Sequence, residues 1–102
     1  MAAYVIVDVE IQNTEGYAEY RKLSGPSVEQ YGGRFIVRGG AVERAEGKWH
    51  PARLVVIQFP SMDQIRTWYN SPEYTEARRV RQAAAEFQMI FVEGVEAAAR
   101  NQ

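Results

Sequence analysis

Apolar and polar residues alternate from Tyr4 to Ile11, with Val5, Val7, Val9 and Ile11 on one side and Tyr4, Ile6, Asp8 and Glu10 on the other. That alternation predicts a strand with one clean apolar face and one mixed face. Asn13 or Thr14 then offers an N-cap oxygen, and a helix is expected from Glu15 to about Tyr31, with Tyr17, Tyr20 and Leu23 at helical spacing and Val28 and Tyr31 continuing the stripe. Ser24-Gly25-Pro26 interrupts it, so a bend or restart is expected there.

The stretch from Tyr31 to Gly40 holds a strand-length run, Arg34 to Arg38, between two glycine pairs. Gly32-Gly33 reads as the end of the preceding helix and Gly39-Gly40 as a bulge or kink after the strand. A looser extension through Val42 to Ala45 and a turn-rich Glu46 to Pro51 lead into a third strand, Arg53 to Phe59, making a hairpin with a long tip. Ser61 and Gln64 have capping-box spacing, and the helix they open carries Ile65, Trp68 and Tyr69. Ser71-Pro72-Glu73 starts a second helical piece running to about Ala85, with Tyr74, Ala77, Val80, Arg81 and Ala84 inward and Glu76, Arg78, Arg79 and Gln82 outward. Glu86 to Glu93 is the fourth strand, ended by Gly94 and followed by an Ala-rich tail to Gln102.

Strand, helix, strand, strand, helix, strand is the split βαβ, ferredoxin-like order, an α+β fold with a four-stranded antiparallel sheet. The first and third strands, richest in β-branched residues, are expected at its centre, and residues 1–102 form one domain. The second sheet face mixes Asp8, Arg34 or Arg38, Gln58 and Gln88 with Ile6, Ile36, Leu54, Val56, Ile90 and Val92. Such a face is too apolar for water, and the sheet of a second subunit is its natural cover, which predicts a homodimer.

Composition narrows the function classes. Twelve basic and 13 acidic side chains leave a net charge of −1, which supplies no field for nucleic acid or an anionic membrane. There is no cysteine, so disulfides and thiolate chemistry are excluded, and no apolar run approaches a membrane span. A cytoplasmic protein is expected.

The phrases Tyr31-Gly32-Gly33-Arg34, Val37-Arg38-Gly39-Gly40, Glu46-Gly47, Val56-Ile57-Gln58-Phe59-Pro60-Ser61, Trp68-Tyr69-Asn70-Ser71-Pro72-Glu73-Tyr74 and Arg81 occur in consistent order along nearly the whole chain. In these the sequence resembles the domain of unknown function 1330 family. The resemblance implies the dimeric α+β barrel superfamily, in which two ferredoxin-like subunits pack sheet against sheet. That superfamily includes cofactor-free monooxygenases, small-ring isomerases, polyketide cyclases and haem-binding branches, with sites between the helices and the sheet of one subunit. Haem branches supply a histidine, whereas His50 here stands in a turn beside Pro51. Neither haem, nor a metal, nor any other cofactor is expected, because one turn histidine without cysteine does not build a closed ligand set.

Candidate site residues follow from their chemistry. Arg38 and Arg81 are candidate catalytic groups that stabilise an anion, since a guanidinium fork suits a planar carboxylate or enolate. Tyr20 or Tyr69 is a proton donor or acceptor, and Trp68 and Tyr69, with Tyr20 and Tyr74, form an aromatic pocket wall for substrate. Glu46 would hold Arg38 in the free protein, and His50 would shuttle protons at the pocket mouth. Each has a plainer alternative: Arg38 paired with Glu46 or Asp8, the aromatic row as core, His50 solvated, and Arg78, Arg79 and Arg81 as a solvated helix face. Two functions stand open on these residues, a cofactor-independent small-molecule enzyme or binder acting on a small planar anionic or aromatic compound, and a non-catalytic dimeric module.

Overall fold

Four strands and three helices make up the computed structural model, which describes residues 2–95: β1 (Ala3–Ile11), α1 (Thr14–Gln30), β2 (Arg34–Arg38), β3 (Leu54–Phe59), α2 (Met62–Tyr69), α3 (Pro72–Arg81) and β4 (Ala85–Glu93). The sheet order is β2-β3-β1-β4 with every neighbouring pair antiparallel. As the sequence predicts, β1 and β3 are central. Their inward residues Val5, Val7, Val9, Val55, Ile57 and Phe59 are buried against Tyr17, Tyr20 and Val28 of α1, Ile65 and Trp68 of α2, and Tyr74 and Ala77 of α3. All three helices therefore share one face of the sheet. The other face carries Ile36, Ile90 and Val92 exposed, around half-buried Tyr4, Ile6, Leu54 and Val56.

Local chemistry accounts for most boundaries. Asn13 Oδ1 accepts from Gly16 N at 3.1 Å, Ser61 Oγ from Gln64 N at 3.0 Å and Ser71 Oγ from Tyr74 N at 3.1 Å, so each helix starts on a side-chain cap. The Gln64 side chain does not complete a capping box; its Nε2 donates to Tyr31 O at 2.7 Å and ties α2 to the end of α1. That end is a Schellman motif, with Gly33 N donating to Val28 O and Gly32 N to Glu29 O while Gly32 takes φ 86°. Gly33 is also sterically fixed, because a Cβ there would stand 2.6 Å from the Phe59 ring.

Several expectations are corrected. Helix α1 runs unbroken through Ser24-Gly25-Pro26. Pro26 is exposed, so the donor it withholds from the preceding turn is missing on the solvent side, and the inner side of that turn is held by Ser27 Oγ donating to Ser24 O at 2.7 Å. The looser extension through Val42 to Ala45 is part of an exposed, irregular segment from Ala41 to His50, and Asp8 anchors its far end by accepting from Trp49 Nε1 at 3.1 Å and Ala52 N at 3.0 Å. Helix α3 stops at Arg81 rather than near Ala85, because the chain turns to bring Ala84 O onto Gln12 N and Asn13 N at 2.8 and 3.0 Å. The tail expected beyond Val95 lies outside the described residues.

The bulge is the correction that matters most for the site. It falls at Ile36, where Phe35 pairs with Ile57 and Val37 with Val56, and not at Gly39-Gly40. Strict alternation from inward Phe35 would point Arg38 outward with Arg34. The extra residue reverses that, and Arg38 pairs with Val55 on the helix-covered side.

Candidate functional site

A cavity lies between α1 and the sheet, closed on its inner side by Trp68 of α2 and Tyr74 of α3. Val7, Val9, Val55, Ile57 and Met89 form its apolar floor, Tyr17, Tyr20, Ser24 and Val28 its α1 wall, and Arg21, Phe35 and Arg38 also line it. Its volume is about 20 Å³, space for one water-sized group. No aspartate or glutamate lines it.

Hydrogen bonding gives the inner wall a direction. Arg81 Nη1 lies 3.3 Å from Tyr74 Oη, and Tyr74 Oη lies 2.8 Å from Tyr20 Oη. A guanidinium only donates, so Tyr74 accepts from Arg81; either phenol can donate across the second contact, and donation from Tyr74 to Tyr20 is the arrangement that leaves no unpaired hydrogen on Tyr74. In that arrangement the Tyr20 hydroxyl hydrogen ends the chain, next to Ser24 in the cavity wall. Burial pushes both the Tyr20 and the Tyr74 phenol up, which keeps them neutral donors at ordinary pH. Tyr20 is fixed by near-perpendicular packing on Tyr74 and Phe87, with ring centroids 6.2 and 5.4 Å apart.

Trp68 is the back wall. Its ring centroid is 4.1 Å from that of Tyr74 and 5.3 Å from that of Phe59, and its Nε1 donates to Ser27 Oγ at 3.1 Å. Arg81 does not itself line the cavity; its guanidinium carbon is 4.0 Å from the ring centroid of Phe87, and its hydrogen bond goes to Tyr74, both of which do. Arg38 is at the mouth, exposed, with its guanidinium 4.0 Å over the Phe35 ring.

Of the residues singled out by sequence, the cavity brings together Tyr20, Trp68, Tyr74 and Arg38, with Arg81 one hydrogen bond away. Tyr69, Glu46 and His50 do not line it. Tyr69 packs edge-on against Phe91 and under Arg78, and Glu46 and His50 sit in the exposed segment after β2. The pairing of Arg38 with Glu46 or Asp8 does not form: the ion pairs among the described residues are Lys22–Glu19, Arg66–Asp63 and Arg79–Glu76, and Asp8 is taken by Trp49 and Ala52. Sequence reasoning missed Arg21, Ser24 and Ser27. The signal was available, since Tyr17, Tyr20, Ser24 and Val28 form a continuous helical stripe that Arg21 borders.

Among the described residues no group of three His, Asp or Glu side chains is placed to hold a metal ion, and no helix is long and apolar enough to cross a membrane.

The architecture has solved counterparts. A protein of unknown function from Rhodopseudomonas palustris is 23% identical, covering 93% of this chain and 83% of that one at a TM-score of 0.76. SnoaB, a cofactor-independent oxygenase from Streptomyces nogalater, is 10% identical, covering 94% of each chain at 0.62. A dimeric protein of unknown function and ferredoxin-like fold from Bacteroides fragilis is 11% identical, covering 91% of this chain and 96% of that one at 0.56. At these identities the likeness is one of fold. None of the curated proteins matches the sequence significantly. The model of the domain of unknown function DUF1330 matches residues 2–95, and the chain belongs to that family.

Proposed function

We propose that the protein is a cofactor-independent binder or enzyme for a small planar anionic or aromatic compound, working as a homodimer whose subunits pack through their open sheet faces as a dimeric α+β barrel. The observation that carries this reading is the bulge at Ile36, which turns Arg38 toward a cavity whose inner wall ends in a donating Tyr20 hydroxyl. A positive group at the mouth and a neutral hydrogen-bond donor inside suit an enolate or phenolate, whose charge they would hold in a setting drier than water. The lining contains no carboxylate, histidine or cysteine to act as a strong base or nucleophile. Any reaction would start from acidity the ligand already has, with the protein stabilising the anion, as in isomerase, cyclase or oxygenase chemistry that proceeds through such species. The fold shared with SnoaB supports an oxygenase among these. The fold shared with the dimeric Bacteroides fragilis protein, and the exposed Ile36, Ile90 and Val92, support the homodimer. Arg81 acts by polarising the phenol chain, and Trp68 and Tyr74 act as walls.

The second reading, a non-catalytic dimeric module, is favoured by one observation, the cavity's volume of about 20 Å³. A thermal-shift screen of small acids, enols and phenols, followed by mass spectrometry of what co-purifies, separates the two. A ligand at 100 times its dissociation constant raises stability by about 2.7 kcal/mol. Arg38→Met, which keeps the contact with Phe35 and removes the charge, is expected to melt with the parent and to lose the ligand. A variant that melts much earlier while binding the same ligand removes Arg38 from the site.

A further inference from the structure

We infer that Arg21 and Arg38 together form a carboxylate subsite at the cavity mouth, and that the ligand class is a small hydroxyaryl carboxylate whose acid end binds there while its hydroxyl reaches Tyr20. The inference rests on the reading of this cavity as a ligand site and goes on to name what fills it.

Two arginines line the same cavity from opposite elements, Arg21 on α1 and Arg38 at the end of β2. Neither has a carboxylate partner among the described residues. Glu19, on the same helix as Arg21, is taken by Lys22 at 3.0 Å, and no acidic side chain lines the cavity. Two like charges at one opening repel each other, which a shared anion relieves. Guanidinium groups bind carboxylates through paired, charge-assisted hydrogen bonds that an ammonium does not reproduce. The backbone favours this approach: the bulge at Ile36 turns Arg38 inward, and its Nη2 comes to within 3.7 Å of the Cβ position of Gly25 on α1.

The far end of the ligand is fixed by the inner wall. The relay from Arg81 through Tyr74 leaves the Tyr20 hydroxyl to donate, and the adjoining space takes one oxygen-sized group. Between the two ends stand half-buried Phe35 beside Arg38 at the mouth and the apolar floor of Val9 and Val55, which suit a hydrocarbon body. A neutral compound leaves both arginines without their anion.

Titration of the full chain with three probes, followed by NMR, tests the assignment: 4-hydroxybenzoate, its neutral counterpart 4-hydroxybenzamide, and benzoate. The acid should bind at least about ten-fold tighter than the amide, the factor expected for one charge-assisted hydrogen bond. Arg21→Met and Arg38→Met should each weaken the acid by about ten-fold without moving the amide, and Tyr20→Phe should erase the preference for 4-hydroxybenzoate over benzoate. Equal affinity for acid and amide, or an unchanged acid affinity in Arg21→Met, overturns the two-arginine subsite while leaving the cavity as a ligand site. Failure of all three probes to bind at millimolar concentration overturns the ligand class, and the broader screen then decides separately whether the cavity binds anything.

Discussion

The two faces of one sheet have opposite fates. Under the helices, Val5, Val7, Val9, Val55, Ile57 and Phe59 are all exposed by 7% or less, whereas across the same backbone Ile90 is 61% exposed, Ile36 45% and Val92 41%. Strands that alternate apolar with apolar need cover on both sides, and this chain has helices for one. The covered face is completed by buried aromatic and polar contacts within the subunit, and there the hydroxyl chain and the cavity are found. The open face carries its polar groups in ladder positions, Arg34 donating to Gln58 and Asp8 holding Trp49, with the aliphatic residues left over. One face is finished by folding, and the other is suited to association.

That contrast can be broken experimentally, and the largest effect should come from the covered face. Trp68→Ala removes a side chain 1% exposed and leaves Phe59 and Tyr74 facing a void. It should destabilise by about 3–5 kcal/mol in urea unfolding, enough to abolish folding in a marginal domain. Tyr74→Phe keeps the ring but strands the Tyr20 hydroxyl and the Arg81 donor, for about 1–3 kcal/mol, and should lower the melting temperature by roughly 4–8 °C per kcal/mol. A Tyr74→Phe variant as stable as the parent would show that the hydroxyl chain contributes nothing to the covered face.

Ile90→Lys on the open face should change subunit stability by no more than about 0.5 kcal/mol. Light scattering at micromolar concentration should nonetheless find the parent at twice the chain mass and the variant at the single mass. A parent that stays monomeric at high concentration ends the proposed dimer, and a variant that unfolds would mean the two faces are not separable. The smallest effect concerns the seam between α1 and α3. Tyr31 Oη donates to a Glu73 oxygen at 2.7 Å and Gln30 Nε2 to the other at 3.1 Å, and the Tyr31 bond above all holds the Glu73 carboxyl below the usual carboxylate range. A carboxylate with a folded pKa lowered in this way contributes stability above its unfolded value that is lost as the pH falls through the folded one. Glu73→Gln should therefore be slightly less stable than the parent near neutrality, with the gap closing under acid in parallel melts.

How much of this was legible in the sequence depended on whether one residue type announced it. Alternation in β1 and β3, the Asn13, Ser61 and Ser71 caps and the Gly32-Gly33 stop each rest on local chemistry, and the strand order followed from them. The bulge at Ile36 did not announce itself, since the extra residue is an ordinary isoleucine and the visible glycine pair comes after it. That one residue decides which face Arg38 is on. Pro26 misled for the opposite reason, as a strong local breaker overruled by the packing of Ser24, Ser27 and Val28 beneath it. For the site, the aromatic members were visible as a stripe, whereas the hydroxyl chain required Tyr20 of α1 to meet Tyr74 and Arg81 of α3, which lie far along the chain from it and come together with it only after folding.

The chain has two tryptophans, and the fold assigns one to each face. Trp68 is 1% exposed in the core, while Trp49 is 61% exposed and tethered to Asp8 on the open face. Indole emission responds to the polarity around the ring, so the protein contains two native optical reporters in different settings. Loss of the blue-emitting Trp68 signal would follow unfolding, and a shift of the red-emitting Trp49 signal with dilution would follow separation of the proposed dimer, so a Trp49→Phe variant leaves Trp68 to report unfolding by itself without a label.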